Sequence, residues 1–238
     1  MSLTASQINR LGERLRTNVP TEEDLLLLSE FRLSFAAAYH EVMEILTGRL
    51  GLSATGRPQK STESIIAKLR RESTRLSKMQ DIAGCRLVVA NRVEQDMIVF
   101  EMVDYLPGTL VHDRREAPRH GYRAVHVLST FENHPVEVQV RTILQHTWAE
   151  ASERLSDVID PAIKYGGGPS PHRDFLQNMA TNIALWEEGE VALWELAAEQ
   201  GRLMPASELP MKEHRERVHA ILLQALRDYS NIDTVDEQ

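Results

Sequence analysis

Glu137, Gln139 and Arg141 alternate with Val136, Val138 and Val140 in the run PVEVQVRT, residues 135–142. A period of two predicts a strand with one apolar and one polar face. The polar face carries a carboxylate, an amide and a guanidinium, where a merely hydrated face would carry Lys, Thr or Ser. Such a set can hold a cation, take a proton and bind an anion. The run YRAVHVLSTF, residues 122–131, predicts a second strand, joined to the first through Glu132–Pro135 as an antiparallel hairpin. Pairing Phe131 with Val136 sets His126 opposite Arg141, Leu128 opposite Gln139 and Thr130 opposite Glu137. Tyr122, Ala124 and His126 then share the polar face. Several charges on one sheet face are costly unless they bind a ligand or pair densely. A hydrated open face is the plainer alternative.

A second group of such residues lies upstream. Arg57 and Lys60 stand in GLSATGRPQKS, residues 51–61, whose Gly, Ser and Pro predict a loop. A helix is expected from Thr62 to Leu76, capped by Ser61, with Ile65, Ile66 and Leu69 inward. Ser64, Lys68, Arg71 and Arg75 would line its other face. A helix N-terminus presents free N–H groups and suits phosphate oxygens. Basic residues along one helix are more commonly plain solvated surface, and no GxxxxGK[ST] loop is present. Asp81 precedes a predicted buried strand, CRLVVA (85–90), whose second residue is Arg86. Mg2+ takes one or two carboxylates together with substrate phosphates, which makes Asp81 a candidate ligand. The bland alternative for Asp81 is a turn or cap.

Composition narrows the function classes. The 238 residues are 42% hydrophobic and 26% charged, ordinary for a soluble globular chain. The single cysteine, Cys85, excludes an internal disulfide framework and fits a reducing compartment. No apolar run reaches the roughly 18–20 residues of a membrane span. The first residues lack the apolar core of a signal peptide, so a cytoplasmic location is expected. The net charge is −8, yet residues 57–92 carry nine Lys/Arg against three acids, a local +6, while residues 174–238 carry a local −8. A basic block in an acidic protein predicts a cleft for a phosphorylated ligand rather than a broad nucleic-acid surface.

The elements that must position these residues follow from the same patterns. Helical spacing covers 4–18, and TEEDLLLLSEFRLSFAAAYHEVMEIL predicts one long helix from Thr21, its N-cap. A helix over 94–106 stops before Pro107-Gly108, and GTLVHDR predicts a strand. A helix follows the hairpin over 143–159. YGGGPSP (165–171) predicts a break, two helices are expected over about 172–200 and 211–229, and the last residues should fray. The class is α+β, a small mixed sheet with helices packed on it and helical N- and C-terminal extensions.

The ordered set SIIAKLRRE, MQDIAGCRLVV, HGYRAVHV and VEVQVRTILQHTWAEASE resembles the synthetase domain of the RelA/SpoT family, whose small single-domain members are the small alarmone synthetases. The resemblance spans about residues 50–165. It implies three parts: an N-terminal helical extension (1–50), a pyrophosphokinase domain (51–165) and a C-terminal helical extension (166–238). It also implies a nucleotidyltransferase-like five-stranded mixed sheet and, with Mg2+, transfer of the β,γ-pyrophosphate of ATP to the 3′-hydroxyl of GDP or GTP. By motif position, Asp81 and Glu137 would be the catalytic, metal-binding acids, with Glu137 the base. Tyr122 would stack on the acceptor base and His126 would lie near its phosphates or ribose. Lys60, Ser64, Lys68 and Arg86 would surround the ATP phosphates and adenine. Gln139 and Arg141 complete the nucleotide-binding strand. Arg57 stands one residue further from Lys60 than in the usual Arg-x-Lys.

Three points stay open in the resemblance. Pro118-Arg119-His120 replaces the usual Lys and Asn around the acceptor, so a tRNA 3′ end, met by Arg114, Arg115, Arg119 and Arg123, or an adenine nucleotide are alternative acceptors. No HDxxED motif occurs, which implies synthesis without hydrolysis. Relatives assemble through terminal helices, where Trp186, Leu193, Trp194 and Leu196 would serve a homo-oligomer or plain core packing, and toxic relatives have antitoxins. A non-catalytic nucleotide sensor is the alternative of another class, which retention of both acids disfavours.

Overall fold

The structure is a computed structural model describing residues 3–202 and 212–232; the expected fraying of the last residues falls outside the described ones. Five strands form one mixed sheet flanked by helices: β1 (Ala54–Arg57), β2 (Ala83–Val89), β3 (Leu110–Asp113), β4 (Val125–Phe131) and β5 (His134–Thr142), in the order β1-β2-β5-β4-β3. The helices are α1 (Ala5–Thr17), α2 (Glu22–Leu33), α3 (Ala36–Met43), α4 (Thr62–Arg71), α5 (Arg92–Tyr105), α6 (Ile143–Val158), α7 (Ser170–Glu199) and α8 (Lys212–Ile232). No described helix is long and apolar enough to cross a membrane.

Three expectations upstream of β2 are corrected. The long helix from Thr21 is capped as expected, by Thr21 with Asp24, but breaks after Leu33 and ends in a π-helical turn over Glu44–Arg49. At the break the Ser34 hydroxyl donates to the Phe31 carbonyl at 2.7 Å, competing with the helical ladder. The expected 51–61 loop contains β1, an edge strand too short to show alternation. It pairs antiparallel with β2, Thr55 facing Arg86 and Arg57 facing Gly84. Helix α4 stops at Arg71 because Glu72 turns extended. Arg71 therefore pairs with Glu72, and Arg75 lies beyond the helix, not on the Ser64–Lys68 face.

The hairpin turns on Glu132 and Asn133 alone, both with positive φ, as a two-residue turn between right-twisted strands requires. Phe131 thus faces His134, two residues from the expected partner. An even displacement leaves every side chain on its expected face. Strand β4 begins at Val125, however, so Tyr122 and Ala124 precede it; Tyr122 sits in a small bridge with Arg119.

The chain divides into two compact units, Met1–Leu87, Glu101–His112 and His126–Gln139 forming one, and Val88–Phe100, Asp113–Val125 and Val140–Gln238 the other. In the first, α1 packs on α2, α4 and the turn after α4, burying Leu11, Leu15, Leu28, Leu69 and Leu76. In the second, α6 packs on α7 and α8 around Leu144, Trp148, Leu155, Leu176, Met179 and Ile183.

Candidate functional site

In the first unit the structure gathers most of the expected residues around two carboxylates. Asp81 precedes β2 and accepts from Lys60 Nζ and Lys68 Nζ, each at 2.9 Å, one on each oxygen. Lys68 reaches it from α4, whose N-cap is Ser61; the Ser61 hydroxyl accepts from the Ser64 N–H at 3.2 Å. Arg57, at the end of β1, donates to the Asp81 carbonyl at 3.2 Å, and the Lys60 N–H donates to the Ile82 carbonyl at 2.7 Å. The extra residue between Arg57 and Lys60 therefore does not carry Arg57 away. Ser64 stays exposed at the helix start, and Arg86 is half-buried in β2.

The second carboxylate, Glu137, stands on β5. His126 Nδ1 lies 3.0 Å from Glu137 Oε1, and Gln139 Nε2 donates to Oε2 at 2.7 Å. Burial pushes the Glu137 carboxyl up, but the His126 and Gln139 hydrogen bonds outweigh it and bring the group down to about 2, with the Asp81 charge opposing. Burial likewise raises Asp81, and the Lys60 and Lys68 ammonium groups overcome it, holding it at about 2. Both acids are ionised at neutral pH and feel each other's charge.

Two features of this unit carried no expectation. Gly84 lies so close to β5 that a Cβ there would stand 2.5 Å from the Glu137 carbonyl oxygen. Its lack of a side chain lets the strand that follows Asp81 lie against the one bearing Glu137. Arg32 of α2 reaches the Lys60 carbonyl and the Thr62 hydroxyl, both at 3.3 Å, tying the loop down. A glycine before a buried strand was a visible signal; an arginine 28 residues from its partner was not.

In the second unit Tyr122 and Arg141 come together. Arg141 is 4% exposed; its Nη2 donates to the Tyr122 hydroxyl at 3.1 Å and its Cζ lies 5.2 Å from the ring centroid. The ring packs on Trp148, centroids 6.4 Å apart. Gly121, at φ 90°, permits this, since a Cβ would meet Trp148 at 2.8 Å. The expected basic patch is reduced. Arg115 pairs with Asp113 at 2.6 Å and Asp96 at 2.7 Å, and Arg123 donates to the Arg115 carbonyl at 2.9 Å. Those two guanidinium groups are held within the fold.

Comparison with known proteins bears on this arrangement. Residues 56–156 match the region found in RelA / SpoT proteins. They are a RelA/SpoT domain. The uncharacterized protein Rv1366 of Mycobacterium tuberculosis is 36% identical over 170 residues, 68% of this chain and 62% of that protein. The GTP pyrophosphokinase YjbM of Bacillus subtilis is 33% identical over 132 residues, 49% of this chain and 58% of YjbM. The chain thus spans less than two thirds of the length of these curated relatives. Among solved structures, the small alarmone synthetase 1 of B. subtilis aligns with a TM-score of 0.55 at 25% identity, covering 77% of this chain and all of that one. The α+β fold with its five-stranded mixed sheet is the one these synthetases share. The RelA/SpoT match includes Arg57 through Thr142, and with them every candidate site residue.

Proposed function

We propose that the chain is a nucleotide pyrophosphokinase that moves the β,γ-pyrophosphate of ATP to the 3′-hydroxyl of GDP or GTP. The observation that carries this is the pair of ionised acids, one framed by two lysines and one by a histidine and an amide, within a RelA/SpoT domain. The naming of YjbM as a GTP pyrophosphokinase supports the same chemistry.

Lys60, Lys68 and Arg57, together with the N-terminus of α4 at Ser64, offset phosphate charge, and Arg86 on β2 adds to them. Transfer of a phosphoryl group asks mainly for such neutralisation and for in-line positioning. The acceptor's 3′-oxygen forms a bond to the β-phosphorus while the bond from that phosphorus to the α–β bridging oxygen breaks, releasing AMP. The hydroxyl proton passes to Glu137. A carboxylate this acidic takes the proton only as the new bond forms, when the hydroxyl has itself become acidic. Tyr122 offers the acceptor base an aromatic edge or face, and Gln139 and Arg141 complete the polar strand.

Asp81 and Glu137 are hard oxygen donors that stay ionised, and their mutual repulsion would be relieved by a cation, so the donor set suits Mg2+. Among the described residues no group of three or more His, Cys, Asp or Glu side chains gathers to hold a metal ion, so substrate phosphates and water would complete the shell. When bound, Mg2+ would supply charge neutralisation on the triphosphate.

The test is incubation of the chain with γ-labelled ATP, Mg2+ and, separately, GDP, GTP, adenine nucleotides or deacylated tRNA. Label on GDP or GTP, with AMP released in equal amount, is expected. Label only on tRNA or on an adenine nucleotide would move the acceptor assignment, and release of ADP or free phosphate alone would overturn the proposal.

A further inference from the structure

Glu187 lies on α7, outside the RelA/SpoT match, and is 2% exposed. Its Oε1 accepts from the Thr142 hydroxyl, and its Oε2 accepts from Gln145 Nε2 at 3.0 Å. Thr142 is at once the last residue of β5 and the N-cap of α6, where its Oγ1 accepts from the Gln145 N–H at 3.1 Å. Two residues earlier in the strand, the Val140 carbonyl accepts from Gln95 Nε2 at 2.7 Å, and the same Nε2 donates to Gln145 Oε1 at 2.9 Å. Gln95 Oε1 in turn accepts from Arg115 Nη1 at 2.9 Å. Residues 140 and 142 are thus both held, and Arg141 between them has its backbone fixed on either side. Its guanidinium meets the Tyr122 hydroxyl.

Burying a carboxylate is costly unless it is paired or hydrogen-bonded, and Glu187 has a hydrogen bond on each oxygen. Burial pushes Glu187 up, Thr142 and Gln145 pull it down, and the net direction is up. A hydrophobic residue of similar size would suit the apolar α6–α7 seam of Trp148, Met179 and Ile183 better. What Glu187 supplies instead is a fixed direction for the Thr142 hydroxyl, at the end of β5, and for the Gln145 amide, in the first turn of α6.

We infer that Glu187 is a positioning residue for the acceptor contact at Tyr122, acting through Thr142 and Arg141. This rests on the reading of Tyr122 as the acceptor contact proposed above. The C-terminal helical segment therefore contributes to acceptor recognition although it carries none of the family motifs.

Glu187→Gln keeps the volume and puts an N–H2 against one of two donors. Hydrogen exchange should then speed by about fivefold in peptides spanning residues 119–125, the effect of one lost hydrogen bond, and stay unchanged over 80–87. In calorimetric titrations with Mg2+, GDP should bind about fivefold more weakly while α,β-methylene ATP binds as before. Unchanged exchange over 119–125 in the folded variant, or equal weakening of both nucleotides, overturns the inference. Should Glu187→Gln fail to fold, Thr142→Ser and Thr142→Val decide: the first keeps the hydroxyl and should behave as the unaltered protein, the second should lose GDP affinity selectively, and equal behaviour of the two overturns it. If the unaltered protein binds neither nucleotide, the functional proposal has failed, and the exchange comparison still judges Glu187.

Discussion

Glu137 is held by two partners that do not resemble each other, an imidazole through His126 Nδ1 and an amide through Gln139 Nε2. Both favour the ionised carboxylate, so the group stands ready to accept a proton but at low basicity. Glu137→Gln should lower transfer by at least about a hundredfold, in line with the loss of a general base, while ATP affinity changes by less than about threefold. Initial rates beside ATP titration check this; turnover within about tenfold of the unaltered chain would remove Glu137 from the role of base. Asp81 differs in kind. With an ammonium group on each oxygen, it balances Lys60 and Lys68 directly.

At the scale of elements, the meeting of two strands depends on a missing side chain. Gly84 places β2 against β5 so closely that a Cβ would stand 2.5 Å from the Glu137 carbonyl oxygen, which is backbone and cannot rotate aside. Gly84→Ala should destabilise the protein by about 1–3 kcal/mol through overpacking and shift the Asp81 segment relative to Glu137. Denaturant unfolding reads the first effect, and the pKa of Glu137 by NMR the second: with Asp81 displaced, the neighbouring negative charge weakens and the Glu137 pKa should fall further. Stability within about 0.5 kcal/mol of the unaltered chain would show that the strands separate at little cost. The helices show the same dependence on contact. Thr142 and Ser61 both begin helices by accepting from the N–H three residues on, and each also borders a strand or loop that carries candidate site residues.

For the whole molecule, the buried acids set the response to pH. Asp81 and Glu137 lie at about 2, below their ordinary 3.8 and 4.5, and Asp24, beside Arg14, is also lowered, so the stability they contribute is complete above the ordinary values and drains as pH falls toward 2. Glu187 and Glu190 are raised by burial, against their bonds to Thr142 and to Arg215; their contribution is complete below the ordinary value and is lost as pH rises through their folded values. The melting temperature should therefore drop steeply between about pH 4 and pH 2 and decline gently above about pH 5. Thermal melts across that range check it, and Asp81→Asn should flatten the acid limb; a limb equally steep in that variant would contradict the assigned cause.

The polar face of Glu137, Gln139 and Arg141 was legible because a strand's side-chain period is two whatever it pairs with. The same holds for His126, since a register displaced by two residues keeps every side chain on its face. The N-caps Thr21 and Ser61 were legible for a local reason, a hydroxyl and an N–H three residues apart. The order of four motifs pointed to a RelA/SpoT domain, and Asp81, Lys60 and Lys68 do come together. Contacts between residues far apart in the chain were not legible. β1 became a strand only because β2 offered it partners, the long helix broke where the Ser34 hydroxyl took the Phe31 carbonyl, and Arg115 turned from a surface cation into the centre of an ion-pair cluster with Asp96 and Asp113. Periodicity and capping act over a few residues and can be read in one dimension. Pairing, close approach and burial of charge depend on which surfaces the fold brings face to face, and only the folded chain settles those.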